Sequence, residues 1–283
     1  MAVRTFVFDL DGVVYRGEQP LPGAVDTIET LRQLGHQVYF FTNNSSKSRE
    51  FYVDKLQRMG IATDVEHIMT ASRATALYLR EEGAQGKSVY MIGQDGLREA
   101  LLSAEMRLVE DVSREKVDYV VVGIDHGFNF QKLVDAQHAI FGGAEFIATN
   151  PDLTFPGENG RVTPGNGALV AAVEAASGVK ATVIGKPSPT AIHEILALAG
   201  STPENAVIVG DRLDTDVLAG KRISALTVLV LTGITSQADV DAAPPETRPD
   251  IVIATLPEML EKLHLNRRPG KSGSQEIEHG LHR

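Results

Sequence analysis

The apolar run Phe6-Val7-Phe8 stops abruptly at Asp9-Leu10-Asp11-Gly12. In an extended strand, residues two apart point to the same face, so Asp9 and Asp11 can present paired carboxylates at the strand's carboxyl end if that geometry persists. Parallel α/β sheets place their ligands there. Two carboxylates ~4 Å apart repel by about 4 kcal/mol at an effective dielectric of 20, and both stay ionised comfortably only beside a cation. An all-oxygen donor set suits magnesium. A plain turn competes with this reading, because Asp and Gly favour turns for backbone reasons alone. A calcium loop of the EF-hand kind is excluded: Gly12 directly follows Asp11, where that loop needs a further ligand pair first, and no helix precedes it.

Three further apolar runs also end in polar residues. Val38-Tyr39-Phe40-Phe41 gives way to Thr42-Asn43-Asn44-Ser45-Ser46. The Thr42 hydroxyl can donate to a phosphate oxygen and the turn's backbone N–H groups can add anion binding, although a capping role competes. Val183-Ile184 leads into Gly185-Lys186-Pro187-Ser188-Pro189, where Lys186 either neutralises phosphate or faces solvent. This is not a Walker A loop, since Pro187 follows the lysine and Gly178 stands at the wrong separation from Gly185. Val207-Ile208-Val209 ends in Gly210-Asp211-Arg212-Leu213-Asp214-Thr215-Asp216. Stabilisation of a helix start accounts for Asp214, whereas Asp211 and Asp216 can complete an oxygen cage with Asp9 and Asp11.

These groups meet only if the runs that carry them lie side by side. Short β-branched or aromatic runs alternate with helical patterns, the mark of βαβ units and an α/β fold with a mainly parallel sheet. Strands are expected at 4–9, 37–42, 67–70, 88–92, 119–123, 146–149, 182–185, 206–210, 227–231 and 251–254. Ala24, Val25, Ile28, Leu31 and Leu34 share one helical face, with Gly35 as terminator. Comparable helices are expected at 48–59, 72–81, 97–105, 130–141, 168–176, 190–199 and 215–222.

Taken in order, Asp9-x-Asp11-Gly12, Thr42-Asn43-Asn44, Gly185-Lys186-Pro187 and Gly210-Asp211-(x)4-Asp216 resemble the four motifs of the haloacid dehalogenase superfamily. The surrounding wording resembles its NagD-like branch, which includes phosphoglycolate and 4-nitrophenyl phosphatases, over nearly all of Arg4 to Leu265. The resemblance implies a Rossmann-like core and magnesium-dependent hydrolysis of small phosphomonoesters through an aspartyl phosphate. It makes Asp9 the nucleophile. Asp11 would protonate the leaving alcohol and then activate water, and its presence favours phosphatase over dehalogenase chemistry. Thr42 and Lys186 would compensate phosphoryl charge, with Gly12, Asn43 and Asn44 also binding substrate. Magnesium, or manganese in its place, would be held by the Asp9 carboxylate, the Asp11 backbone carbonyl and Asp211, with Asp216 acting through water. Phosphotransfer to an alcohol, as in a mutase, is the alternative activity. A receiver-like signalling domain is the non-enzymatic one, disfavoured by the motif order and the long internal segment.

Roughly 140 residues separate Thr42 from Lys186, far more than a usual connection of about 2 to 6 residues plus one helix. The surplus shows its own strand and helix alternation. The expected organisation is a core in two parts, 1–81 and 181–265, interrupted by an α/β unit at 82–180 and followed by a disordered tail at 266–283. In the family this insertion resembles a C2-type cap that excludes water and selects the leaving group. Gly123-Ile124-Asp125-His126-Gly127-Phe128-Asn129-Phe130 looks like its specificity loop, with Phe130 where Tyr is common. Asp125 is a candidate substrate contact, or a helix-start carboxylate; His126 reads as solvent-facing. Thr149-Asn150-Pro151-Asp152 and Pro164-Gly165-Asn166-Gly167 are further cap surfaces. The latter is no dinucleotide fingerprint, because Val170 occupies its third small-residue position. Candidate substrates are 2-phosphoglycolate, sugar phosphates, nucleotides and 4-nitrophenyl phosphate.

Composition narrows the partners. The chain's 283 residues exceed the ~100 to 200 usual for one domain. With 27 Lys+Arg against 37 Asp+Glu, a net charge of −10 gives no global attraction to nucleic-acid polymers or anionic membranes. The expected partner is a small phosphorylated metabolite, and a homo-oligomer is left open. The absence of cysteine removes disulfides, thiolate catalysis and cysteine-ligated metals. Arg4, Asp9 and Asp11 break the apolar start, so no signal peptide is read, and Ala225–Leu231 falls far short of the ~20 apolar residues of a membrane span. A cytoplasmic location is expected.

Overall fold

The computed structural model describes residues 3–156 and 162–265. In chain order it contains β1 Thr5–Phe8, β2 Tyr15–Arg16, β3 Gln19–Pro20, α1 Ala24–Gln33, β4 Gln37–Thr42, α2 Arg49–Arg58, β5 Ile68–Thr70 and α3 Ala71–Glu81. The middle of the chain forms β6 Ser88–Ile92, α4 Asp95–Ser103, β7 Arg107–Val109, β8 Tyr119–Val122, α5 Phe130–Phe141, β9 Glu145–Ala148, β10 Thr154–Pro156, β11 Val162–Pro164, α6 Asn166–Ser177 and β12 Thr182–Val183. The remainder is α7 Thr190–Leu198, β13 Ala206–Gly210, α8 Leu218–Arg222, β14 Leu226–Val230, α9 Gln237–Asp241, β15 Ile251–Ile253 and α10 Leu256–Lys262.

Six strands form one parallel sheet in the order β15-β14-β13-β1-β4-β5. The central strand β1 is buried along its whole length, as a strand covered on both faces must be, and its sequence is correspondingly apolar without alternation. Successive side chains still divide between the faces. Phe6 and Phe8 pack with Val38, Phe40, Val207 and Val209 beneath α1, α2 and α10. Val7 packs with Phe41 and Ile208 beneath α3, α7 and α8. Each such fully buried side chain contributes roughly 1.5–3 kcal/mol. Phe8 pairs with both Phe40 and Val209, so the residues that follow β1, β4 and β13 emerge together.

A second parallel sheet has the order β12-β9-β8-β6-β7. One face packs on α5 and α6 through Ala136, Ile140, Val170 and Val173. The other, through Val89, Val121 and Ile147, joins the apolar layer of α3, α4 and the first sheet. The α/β class and the parallel sheets agree with the sequence reading. Gly35 takes the left-handed φ of 82° expected of a helix terminator.

Several expectations need correction. The run 182–185 reads as part of the core, but Thr182–Val183 pairs with β9 in the second sheet. The pairing runs on as the Ile184 and Gly185 N–H groups donate to Ala148 and Thr149 carbonyls, at 3.1 and 2.8 Å. Helix α6 returns the chain to that edge, which a short apolar run alone does not reveal. The β2/β3 hairpin, β7 and the β10/β11 pair were not anticipated: with two or three residues each, they show no periodicity. Helices α9 and α10 were also missed. The helix expected at 215–222 begins as a π turn, Leu213–Val217, before α8. The expected tail at 266–283 lies outside the described residues. Among the described residues, no helix is long and apolar enough to cross a membrane.

Candidate active site

Lys186 is the hub. Its Nζ donates to Asp9 Oδ1 at 2.5 Å, to Asp216 Oδ1 at 2.7 Å and to the Phe41 carbonyl at 3.1 Å, over the Phe41 ring, and the residue is 3% exposed. Burial alone would lower its pKa, but the adjacent Asp216 and Asp9 carboxylates hold it above the ordinary lysine range. Asp9 moves the other way from a typical carboxylate: burial raises its pKa, Asp216 and Asp211 add to the rise, and Lys186 opposes it. Asp211 is pushed up to about 7 by burial and Asp216, against the Ile234 N–H, Lys186 and Arg212. Two carboxylates, Asp9 and Asp216, therefore share one buried ammonium, with the buried Asp211 carboxylate close enough to raise the Asp9 pKa.

That imbalance bears on metal binding. Among the described residues no group of three or more acidic or histidine side chains is arranged to hold a metal ion. The donor chemistry nevertheless fits a hard divalent cation: Asp9, Asp211 and Asp216 offer only oxygen, and their mutual repulsion leaves excess negative charge. Asp216 is committed on both oxygens, Oδ1 to Lys186 and Oδ2 to the Arg212 N–H at 3.1 Å, which suits an outer position. Asp211 Oδ2 accepts the Ile234 N–H at 2.8 Å. A Cβ on Gly233 would lie 1.8 Å from that oxygen, and one on Gly12, whose φ is +80°, would lie 2.8 Å away. Both glycines allow backbone to close over Asp211.

The extended geometry that would set Asp9 and Asp11 on one face does not persist. β1 ends at Phe8, and the Leu10 carbonyl accepts N–H groups from Val13, Val14 and Tyr15, closing a turn. The turn and the chemistry coexist. Asp9 reaches Lys186, whereas Asp11 is exposed at the entry to the β2/β3 hairpin. Crowding by surrounding protein raises the Asp11 carboxyl's pKa, while Lys55 and Arg16 pull it down.

Thr42 is buried and accepts the Asn44 N–H at 3.1 Å, with the buried Tyr52 close by. Asn44 is exposed, its Oδ1 accepting the Ser46 N–H at 2.8 Å in a local turn. Asn43 is turned inward: Oδ1 accepts the Lys186 N–H at 2.9 Å, and Nδ2 donates to the Lys186 carbonyl at 2.9 Å and to Asp152. Asp214 stays outside, exposed and paired bidentately with Arg212.

The second sheet meets the loop after β4 with its carboxyl ends. The Ile124 N–H donates to Ser45 Oγ at 3.0 Å, the Gly96 N–H to the Ser46 carbonyl at 3.1 Å and Asn150 Nδ2 to the Asn43 carbonyl at 2.7 Å. Asp125 is buried here, accepting the Gly127 N–H and pairing with Lys132. It is not the helix cap, for Asn129 caps α5 by accepting the Lys132 N–H. His126 bonds Gln94 at 3.1 Å. The sequence reading missed Tyr52, Gly233 and the Asn43–Asp152 contact. None carries a local signal, although the Pro-Asp turn at 151–152 marked that loop.

The comparisons agree in kind. The profile described as haloacid dehalogenase-like hydrolase matches residues 6–107, and a second HAD-hydrolase-like profile matches 183–259. The chain is 38% identical to an acid sugar phosphatase of Staphylococcus aureus, over 84% of this chain and 90% of that one. Among solved structures, a p-nitrophenyl phosphatase from Archaeoglobus fulgidus superposes with a TM-score of 0.85 at 35% identity, covering 92% of this chain and 99% of that one. NagD from E. coli K-12 gives 0.82 at 32%, covering 91% and 98%. A glycerol phosphate phosphatase from Mycobacterium tuberculosis, in complex with magnesium, gives 0.83 at 33%, covering 91% and 76%.

Proposed function

Because the chain belongs to the haloacid dehalogenase-like hydrolases, as a NagD-like phosphatase, we propose that it cleaves small phosphomonoesters by double displacement on Asp9, with a divalent cation. The observation that carries this reading is the buried cluster in which Lys186 bridges Asp9 and Asp216. The Lys186 ammonium opposes the rise that burial imposes on the Asp9 carboxyl, the direction a carboxylate nucleophile requires.

An Asp9 oxygen attacks phosphorus in line, the ester P–O bond breaks, and Asp11 gives its proton to the leaving alkoxide. Asp11 then takes a proton from water, whose oxygen attacks the aspartyl phosphate and frees inorganic phosphate and Asp9. The exposed position of Asp11 lets it meet both alcohol and water. Lys186 and the Thr42 hydroxyl face the developing equatorial charge, joined by the backbone around Gly12, Asn43 and Asn44. When bound, magnesium would supply further charge compensation, held by the Asp9 carboxylate, the Asp11 backbone carbonyl and Asp211, with Asp216 reaching it through water. The magnesium complex of the mycobacterial relative supports that choice; manganese is the second candidate.

The unit built on the second sheet, which includes β12, acts as the lid, and Asp125 in its loop is the candidate substrate contact. Sugar phosphates lead the substrate list, in keeping with the named activity of the staphylococcal relative. The test is phosphate release across a panel of phosphorylated metabolites and 4-nitrophenyl phosphate, with and without EDTA, combined with acid-quench trapping of phosphoprotein. Metal-dependent release with label on Asp9 is expected; no release from any ester, or stable phosphoprotein without turnover, would reject it.

A further inference from the structure

Lys186 is held at both ends. Its ammonium meets Asp9 and Asp216, and its backbone is gripped by Asn43, whose single carboxamide accepts the Lys186 N–H and donates to the Lys186 carbonyl, each at 2.9 Å. This grip needs Gly185, where a Cβ would lie 2.7 Å from Asn43 Oδ1 and 2.5 Å from the Thr149 carbonyl. It also works in only one orientation of the amide. Asn43 Nδ2 donates to the Asp152 carboxylate, 3.2 Å from Oδ1 and 3.1 Å from Oδ2. A flipped amide would set its oxygen against that carboxylate and its NH2 against the Lys186 N–H, both repulsive in a low-dielectric site. Asp152 therefore reinforces the orientation that the Lys186 backbone N–H and carbonyl already favour, and it comes from the loop after β9, in the other sheet.

We propose that Asp152 is a positioning residue for the reaction: through Asn43 it sets the Lys186 backbone and thereby the aim of the ammonium at Asp9. The inference rests on the catalytic reading of Lys186 given above. Asp152 touches no reacting atom, so its loss should act on kcat more than on KM. A misplacement of about 1 Å costs on the order of 10²-fold in rate.

The experiment is steady-state hydrolysis of 4-nitrophenyl phosphate by the full chain with magnesium, alongside thermal unfolding. Asp152→Ala should lower kcat by about 10²-fold with KM little changed. Asp152→Asn, which keeps an acceptor for Asn43 Nδ2 without the charge, should stay within about twofold of wild type. The double variant Asn43→Ala/Asp152→Ala should be no slower than Asn43→Ala alone, since one acts through the other. An unchanged kcat in Asp152→Ala, a collapse of Asp152→Asn to the alanine level, or additive losses in the double variant would each overturn the proposal. Should the alanine variant fail to fold, Asp152→Leu, of similar size and lacking an acceptor, carries the same test. Lys186→Met separates the two readings: if it retains full turnover the catalytic reading fails, whereas if it is inactive and Asp152→Ala is normal only the positioning role falls.

Discussion

Lys186 Nζ stands 2.5 Å from Asp9 Oδ1, yet the two residues follow strands of different sheets, β12 and β1. The lysine end is the more deeply buried, with 4% of its side chain exposed against 14% for Asp9, and it is also paired with the buried Asp216, so the two halves have very different consequences when removed. A buried pair broken from one side leaves an uncompensated charge and costs about 3–5 kcal/mol.

Lys186→Met should therefore do two things at once. Turnover of 4-nitrophenyl phosphate should fall on the order of 10²- to 10³-fold, the scale of losing one preorganised charge-stabilising group. Stability should also fall by about 3–5 kcal/mol, because Asp9 and Asp216 lose their shared cation. Kinetics and urea midpoints check the two parts independently.

Asp9→Asn should separate them. Removing the nucleophile should suppress kcat on the order of 10⁴-fold or more. It also removes one of three crowded carboxylates, so the urea midpoint should hold or rise. Near-normal turnover in this variant would dismiss Asp9 as nucleophile.

Chelation should abolish turnover and added magnesium restore it. Since a cation would relieve the repulsion among Asp9, Asp211 and Asp216, its binding should also raise Tm. Saturation at a hundredfold excess over Kd corresponds to about 2.7 kcal/mol. A melting curve indifferent to both EDTA and magnesium would count against the donor set.

Outside this cluster, Glu194 in α7 is pushed up to about 7 by burial and by the hydrogen bond and charge of Glu81 at the end of α3, with Arg73 opposing. The folded state thus binds this proton more tightly than the unfolded chain, whose glutamate titrates at its usual 4.5. The resulting stability is complete below that value and is lost as pH rises through about 7. Glu194→Gln should flatten the decline in unfolding free energy between pH 5 and pH 8. A decline as steep as in wild type would rule out this pair as its source.

How much of this was readable from residues alone follows from range. Asp9, Thr42 and Asp211 each end an apolar run of three or four residues, and apolar runs buried on both faces are what central parallel strands need, so their meeting was foreseeable. Lys186 was expected beside these carboxylates but on a strand assigned to the core, because β12 has two residues and its pairing depends on where α6 returns the chain. Asn43 illustrates a further limit. Its type fits phosphate binding, and only the folded neighbours, Asp152 across 109 positions and Lys186 across 143, show that its amide is already occupied. Glu81 and Glu194 likewise sit on separate helices, where no periodicity relates one to the other.

The apolar layer beneath α3 and α4 is continuous from Phe41 and Ile208 through Leu79 and Leu101 to Val121 and Ile147. Severing it would expose oily surface on both halves, so heating should melt the molecule as a single calorimetric peak, and neither half expressed alone should remain well dispersed in water.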